Sequence, residues 1–424
     1  MAVNTSIALR NLVFYQIFVR QFSPTHDFKG VIPKLAEIKA LGVDVIQLLP
    51  IHPIGQLNKK GQMGSPYSIA NYYEVNPDLG SKTDFSFFLK EAHNLNMKVI
   101  IDIVFNHTSH DADYTKSHPD WYYHKADGSF TNRVGDWWDI TDFNFENNQA
   151  LEEELINVLK YWTEFGVDGF RCDVAPLLPL SFWKKARNKL DLINPHLLYV
   201  SESVHLSFIK YLRDLGYAAY SDSEIFQVFD VCYDYDIIDD FYKYFQGQGK
   251  LKVWVDALIR QESTYPKNYI KLRYLENHDM ERLAKFLTTD TQLRNVNAML
   301  FMLKGISFIY NGQECGATNR PDLFEIDEIN WENYNKANVV DIMKKMIQLR
   351  KKWEFVNWVM SVKTLNEDVL EIKYESPKHQ IVGIFNFSSH SQTISLDHEG
   401  INYLDGKQIS QGSYCLNEPL VIVK

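Results

Sequence analysis

Along the first three quarters of the chain, short apolar runs alternate with longer stretches in which apolar residues recur at helical spacing. The runs at 13–19, 43–49, 98–105, 169–173, 197–202, 224–229, 269–275 and 305–310 predict eight strands. Between them, 31–41, 84–95, 149–165, 180–190 and 292–303 predict helices. Strands alternating with helices imply a parallel sheet, and eight strands are the number that closes a (β/α)8 TIM barrel.

The connection after the third run is too long for a plain strand-to-helix loop. Residues 108–148 are rich in His, Asp, Trp, Tyr and Gly, carry no helical period, and predict a short inserted subdomain at the barrel's C-terminal mouth, where barrel enzymes keep their active sites. From about residue 352 the pattern changes to short alternating runs, LEIKYE, QIVGIFNF, QTISL and PLVIVK, with turn residues between them. That tail predicts a C-terminal antiparallel β-sandwich. The expected organisation is therefore a catalytic barrel from 1–107 and 149–351, an insert at 108–148 and a β-domain at 352–424.

A chain of 424 residues suits one large α/β domain plus a smaller one. Its net charge of −10 and pI near 5.7 leave no basic footprint, which argues against nucleic acid and for a neutral ligand. Aromatic residues make up 14% of the chain. Trp121, Tyr122, Tyr123, Trp137 and Trp138 crowd into the polar insert, where rings either stack on sugar faces or pack a small subdomain. Four cysteines, Cys172, Cys232, Cys315 and Cys415, show neither metal-ligand spacing nor the density of a disulfide framework and are expected as free, packed thiols. The N-terminus lacks a basic n-region followed by an apolar h-region and cleavage site, and no run reaches membrane-spanning length. The cytoplasm is the expected compartment, with no membrane partner; the sequence carries no signal for oligomeric state.

Candidate chemistry concentrates at strand ends. Arg171 and Asp173 in GVDGFRCDV lie two apart on the fourth strand, so Gly169, Arg171 and Asp173 share one face. A guanidinium beside a carboxylate is expected to favour the ionised acid. Asp102, Asp173, Glu202 and Asp279 all fall at or near the C-terminal ends of strands three, four, five and seven. A lone acid is more often a surface ion-pair member or a helix cap; four at equivalent strand ends point to a carboxylate site suited to a sugar.

These residues carry a resemblance. DIVFNH (102–107), GFRCDV (169–174), SES (201–203) and ENHD (276–279) resemble, in order, the motifs of strands three, four, five and seven of the α-amylase superfamily of glycoside hydrolases. GVDVIQLLP (42–50), TDFNF (141–145) and GISFIYNGQE (305–314) match flanking blocks, so the likeness spans nearly the whole barrel and, more loosely, the tail. It implies a retaining hydrolase of α-1,4-linked maltooligosaccharides or soluble α-glucans. Retention needs one carboxylate as nucleophile and one carboxylic acid as proton donor, roughly 5 Å apart. The resemblance assigns these roles to Asp173 and Glu202, the latter needing a raised pKa, and makes Asp279 the third acid, which holds sugar hydroxyls as charge develops. It further implies that Tyr67 stacks beneath the sugar at the point of cleavage, that His107 and His278 hydrogen-bond it, that Arg171 orients the nucleophile, and that Asp102 and Asn277 position their neighbours.

The sequence departs from that pattern after the nucleophile position. Many α-amylases carry a Lys-His pair there, whereas this chain reads Val174, Ala175, Pro176, Leu177. The chemistry asks for no cofactor, and structural calcium is the one metal the resemblance raises. Asn106 and Asp142 match two of its ligand positions, but calcium takes six to eight oxygens, so a tightly held ion is not expected. His110, His118 and His124 are spaced by eight and six residues with no cysteine near, which does not suit zinc. Glu152, Glu153 and Glu154 are expected in the exposed first turns of a helix.

Two rival readings keep the same barrel. In a glucanotransferase, an α-glucosidase or a sugar isomerase the intermediate meets a different acceptor or a different chain length, and the three acids do not separate these from an endo-acting hydrolase. A catalytically silent sugar-binding relative is expected to have lost one of the acids, and all three are present with Arg171, His107 and His278.

Overall fold

The computed structural model describes residues 5–424; the start of the N-terminal segment, residues 1–4, lies outside the described residues. Eight parallel strands close into a barrel: Val13–Ile17, Val45–Leu48, Lys98–Ile103, Gly169–Cys172, Leu198–Ser201, Val231–Tyr233, Lys271–Arg273 and Ile306–Tyr310. They read as apolar runs because both faces are covered, one by the barrel interior and one by the surrounding helices, so that Phe14, Ile46, Ile100, Phe170 and Phe308 are fully buried. The register sets Asp102 beside Arg171 and Arg171 beside Val200, which fixes the heights at which the polar side chains emerge.

Seven strands lie within the predicted runs; the sixth does not. Segment 224–229 is not a strand: Ser221 caps a helical turn, Asp222–Ile225, and Glu224 reaches back to the Ser221 backbone. That capping box turns an apolar run into a packed turn. The strand itself, Val231–Tyr233, is only three residues long and leaves little pattern to read. Helices Gln149–Phe165 and Leu180–Leu190 form as expected. Helix 31–41 is broken into Phe28–Val31, a tight turn carrying Pro33, and Leu35–Leu41. Glu153 is exposed on the first turns of Gln149–Phe165 as expected, whereas Glu154 turns inward to accept from the hydroxyls of Tyr73 (2.9 Å) and Tyr114 (2.7 Å).

The insert is organised by a two-stranded ribbon, His107–Ser109 against Ile140–Asp142, and by rings: Trp121 and Tyr122 are buried beside Phe143, Trp137 faces the barrel mouth, and Trp138 is exposed. Trp121 and Tyr122 thus pack the subdomain, and Trp137 is the ring of this group that lines the cavity at the mouth. His118 stacks on Trp121 at 3.9 Å, and among the described residues no cluster of three or more His, Cys, Asp or Glu could hold a metal ion.

Helix Val339–Trp353 ends the barrel, and a six-stranded antiparallel sheet follows, with the ribbon Gln392–Leu396 and Gly412–Leu416 layered upon it. Alternation explains its two faces. Val382, Ile384, Leu420 and Ile422 pack with Ile394 and Leu416 of the ribbon, while Ile381, Phe385 and Val421 join the barrel core. Helix Asp290–Leu300 clasps this sheet through Asn295, whose Oδ1 accepts from the Asn386 N–H at 2.9 Å. Cys172, Cys232 and Cys315 are buried free thiols, but Cys415 is exposed on the ribbon, contrary to the expectation that all four are packed. Among the described residues no helix is long and apolar enough to cross a membrane.

Candidate active site

The barrel's upper interior is polar. Gln16, Gln47, Asp102, Arg171 and Tyr233 point inward from strands one, two, three, four and six and are all buried completely. Such groups are tolerated only when they satisfy one another. Gln47 donates to the Tyr233 hydroxyl at 2.7 Å, and the Arg171 guanidinium lies between the Tyr67 and Tyr233 rings, 5.5 Å from each centroid.

Arg171 is the hub. Its Nη1 donates to both oxygens of Asp102 (2.8 and 2.6 Å) and to Asp173 Oδ1 (3.0 Å), and its Nη2 stands 2.5 Å from Glu202 Oε1. Asp173 and Glu202 each sit one residue beyond their strands, where the ladder still holds them: the Asp173 N–H donates to the Ile103 carbonyl (2.9 Å) and the Glu202 N–H to the Cys172 carbonyl (3.0 Å). The chain then turns sharply at Val174, whose φ of 35° is left-handed and costly for a β-branched residue. That turn aims the Val174 N–H at Glu202 Oε2, 2.9 Å away.

Tyr67, from the loop after strand two, closes a second ring of contacts. Its hydroxyl donates to Asp102 Oδ2 (3.0 Å) and lies 2.6 Å from His278 Nε2, while the two rings stack at 5.5 Å. His278 also meets Gln16 (3.3 Å) and Asp279 Oδ2 (3.0 Å). Asn277 accepts from the Asp279 N–H and donates to the Tyr235 hydroxyl, both at 3.0 Å. The Asp279 side chain is 41% exposed, opening onto the cleft, whereas those of Asp173 and Glu202 are each 8% exposed at its floor.

The electrostatics differ from the sequence expectation in one respect. Arg171 does not hold Asp173 low: burial, and then the neighbouring Glu202 carboxylate, push its pKa well up against the pull of the guanidinium. The reason is that one cation serves three acids. Asp102 is likewise pushed up to about 6, by burial outweighing Arg171. For Asp279, enclosure by the cleft walls is outweighed by His278, Arg171 and Arg320, and the carboxyl is held below its usual range. Burial lowers His107 and keeps its imidazole neutral at pH 7. The environment therefore favours the protonated form of Asp173 and the ionised form of Asp279, two carboxyls pushed apart as acid–base chemistry requires.

All the residues expected at the site meet there: Asp102, Arg171, Asp173, Glu202, Tyr67, His278, Asp279 and Asn277 form one connected network. His107 lines the same cavity of about 300 Å³ and packs on Trp137 at 5.8 Å. The sequence reading misses part of the wall. Lys60 pairs with Asp139 at 2.6 Å and lies 5.4 and 5.7 Å from the Trp138 and Phe324 ring centroids. The Met63 N–H donates to the Phe324 carbonyl at 2.9 Å, so the loops after strands two and eight are zipped together beside the insert. Gln16 and Gln47 are missed as well, although a lone amide inside an apolar strand is a signal that could have found each of them.

Asn106 and Asp142 are adjacent, but every side-chain oxygen of the pair faces an N–H donor. Asp142 Oδ1 accepts from Asn106 Nδ2 (3.2 Å), Asp142 Oδ2 from Arg133 Nε (2.9 Å), and Asn106 Oδ1 from Arg133 Nη2. As built, the pair does not fit a divalent cation.

Comparison with known proteins agrees with this geometry. Residues 16–358 match the family described as "Alpha amylase, catalytic domain". Among solved structures, an alpha-amylase from Lactobacillus plantarum is 38% identical and superposes with a TM-score of 0.93, covering 99% of this chain and 100% of that one. A noncanonic maltogenic alpha-amylase, AmyB, from Thermotoga neapolitana is 32% identical with a TM-score of 0.88, covering 98% and 99%. Alpha-1,4-glucan:maltose-1-phosphate maltosyltransferase from Picrophilus torridus is 34% identical over 45% of this chain, and the matched region spans about a third of that protein's length (32%).

Proposed function

Because this chain belongs to the α-amylase family, whose members include both hydrolases and transferases among its relatives, we propose that it is a retaining glycoside hydrolase of α-1,4-linked maltooligosaccharides or soluble α-glucans. One observation carries the reading: Asp173 and Glu202 stand at neighbouring strand ends on the two Nη atoms of one buried guanidinium, and Asp279 opens onto the same cleft.

In the proposed reaction, Asp173 attacks the anomeric carbon as the bond to the leaving oxygen breaks, and Glu202 gives that oxygen its proton. Water then loses a proton to Glu202 as its oxygen bonds to the anomeric carbon and the ester to Asp173 breaks, which regenerates both acids. In this reading Asp279 and His107, which line the cleft, hold sugar hydroxyls together with His278 behind them, and the Tyr67 ring stacks beneath the sugar. Positive charge that develops on the ring faces Asp173 and Asp279. No step calls for a cofactor.

The test is turnover of maltoheptaose, with products resolved by chromatography and their anomeric form read by NMR. Shorter α-anomeric products are expected, and Glu202→Gln is expected to lose at least about 10²-fold in rate. A wild-type rate in that variant overturns the assignment. A second reading, transfer to another sugar in place of water, is favoured by the likeness to maltosyltransferases. Products longer than maltoheptaose, increasing with added acceptor, would select it; release of single glucose units alone would select an α-glucosidase.

A further inference from the structure

Arg133 ties together three parts of the chain. From the insert it reaches Asn106 at the end of strand three, Asp142 at the end of the ribbon, and the Leu177 carbonyl just beyond Asp173, at 3.4 Å from Nη1. Its own backbone N–H donates to Asp142 Oδ2 at 3.0 Å. Tyr123 and Tyr217 flank the guanidinium at 5.6 and 5.8 Å, and the side chain is only 8% exposed, against a fully buried Asp142. A carboxylate so buried needs a cation. The planar fork of arginine supplies one and sends separate donors to separate oxygens.

We infer that Arg133 is a built-in cation: it joins the insert to the barrel at the place where Asn106 and Asp142 would otherwise hold a metal ion, and it makes the fold and activity of this protein independent of calcium. The argument rests on occupancy. A calcium ion needs six to eight oxygens at about 2.3–2.6 Å, whereas here the amide oxygen, both carboxylate oxygens and the Leu177 carbonyl already face N–H groups. The anchor also reaches the 173–177 loop, so the height of the cleft floor is set by a covalently attached charge rather than by an exchangeable one. The inference does not depend on which glucan reaction the site performs.

The experiment uses the whole chain and reads melting temperature first, which needs no turnover. Purified protein dialysed against EDTA is expected to contain no stoichiometric calcium by elemental analysis, and to melt at the same temperature in EDTA and in excess calcium chloride. Arg133→Met, which keeps the length and removes the charge, is expected to lower melting by on the order of 5 °C; Arg133→Lys is expected to recover part of that loss. Retained stoichiometric calcium, or a lower melting temperature of the wild type in EDTA, overturns the inference. So does equal melting of the Lys and Met variants, because the charge would then have no role. If neither variant folds, the wild-type measurements still decide. Loss of all glucan turnover with unchanged calcium behaviour would overturn the proposed function and leave this inference standing.

Discussion

Glu314→Gln offers a stability test with a magnitude that follows from the fold. Glu314 sits in a buried turn just beyond strand eight, where the Tyr15 hydroxyl and the Gly312 N–H (3.1 Å) donate to its oxygens. Among the described residues it forms no ion pair, and burial, outweighing its hydrogen bonds and the more distant Arg282, raises its pKa from 4.5 to about 7. A native state that holds the proton more tightly than the unfolded chain is fully stable below pH 4.5 and loses stability as pH rises towards 7. A displacement of about 2.5 on the pH scale, at about 1.36 kcal/mol each, amounts to about 3 kcal/mol. Spread over the unfolding entropy of a chain this long, that is about 4 °C in melting temperature. Glutamine cannot ionise, keeps an oxygen for Gly312, and lets the Tyr15 hydroxyl rotate to accept instead. The assay is calorimetric melting of both proteins from pH 4.5 to 8. Titration of Asp102 and the other acids is common to the two and cancels in their difference. The melting temperature of the variant minus that of the wild type is expected to climb by about 4 °C across the window and level off above pH 7. A constant difference would refute the reasoning, because it would mean that Glu314 binds its proton no more tightly in the folded chain than in the unfolded one.

Other consequences are simpler to state. Tyr67→Phe keeps the stacking ring but deletes the hydroxyl that joins Asp102 to His278, a loss of about 1–3 kcal/mol at a buried pair; kcat/KM on maltooligosaccharides is expected to fall about 10- to 100-fold, and an unchanged value would remove the hydroxyl from the mechanism. Lys60→Ala breaks the bridge to Asp139 that walls one side of the cleft, so chromatography of maltoheptaose products is expected to show a changed size distribution, whereas an identical profile would mean that the wall does not touch substrate. Under native conditions a thiol reagent is expected to titrate Cys415 rapidly and the other three cysteines only after denaturation; two fast thiols would contradict the packing.

How much of this could be read from the sequence depended on the range over which each signal acts. The strands declared themselves because a run buried on both faces is continuously apolar, and the acids did so because they close such runs. The sixth strand was hidden by a local competitor: Ser221 and Glu224 cap a turn inside a sequence apolar enough for a strand, while Val231–Tyr233 is too short to register. Arg133 was illegible for a different reason. Its partners lie 27, 9 and 44 residues away, and only the folded insert brings them together. The same holds for Lys60 and Phe324, which meet across the mouth from the loops after strands two and eight.

The most instructive departure concerns the Arg171–Asp173 pair. Read as a couple on one strand face, it implies an arginine that keeps its aspartate charged. In the barrel the same guanidinium also faces Asp102 and Glu202, so one positive charge is set against three buried acids. Mutual repulsion among carboxylates in a low-dielectric site is relieved most directly by binding a proton, which is why burial and Glu202 raise Asp173 instead of Arg171 lowering it. The proposed reaction needs a pair that carries one proton between nucleophile and acid, since two anions could not protonate the leaving oxygen and two neutral acids could not attack. A second cation in the hub would favour the first failure. Removing Arg171 would favour the second, by leaving Asp102, Asp173 and Glu202 no alternative to protonation. A single guanidinium shared among three acids lies between these limits, and a positive charge developing on the sugar would be met by carboxylates that Arg171 only partly neutralises.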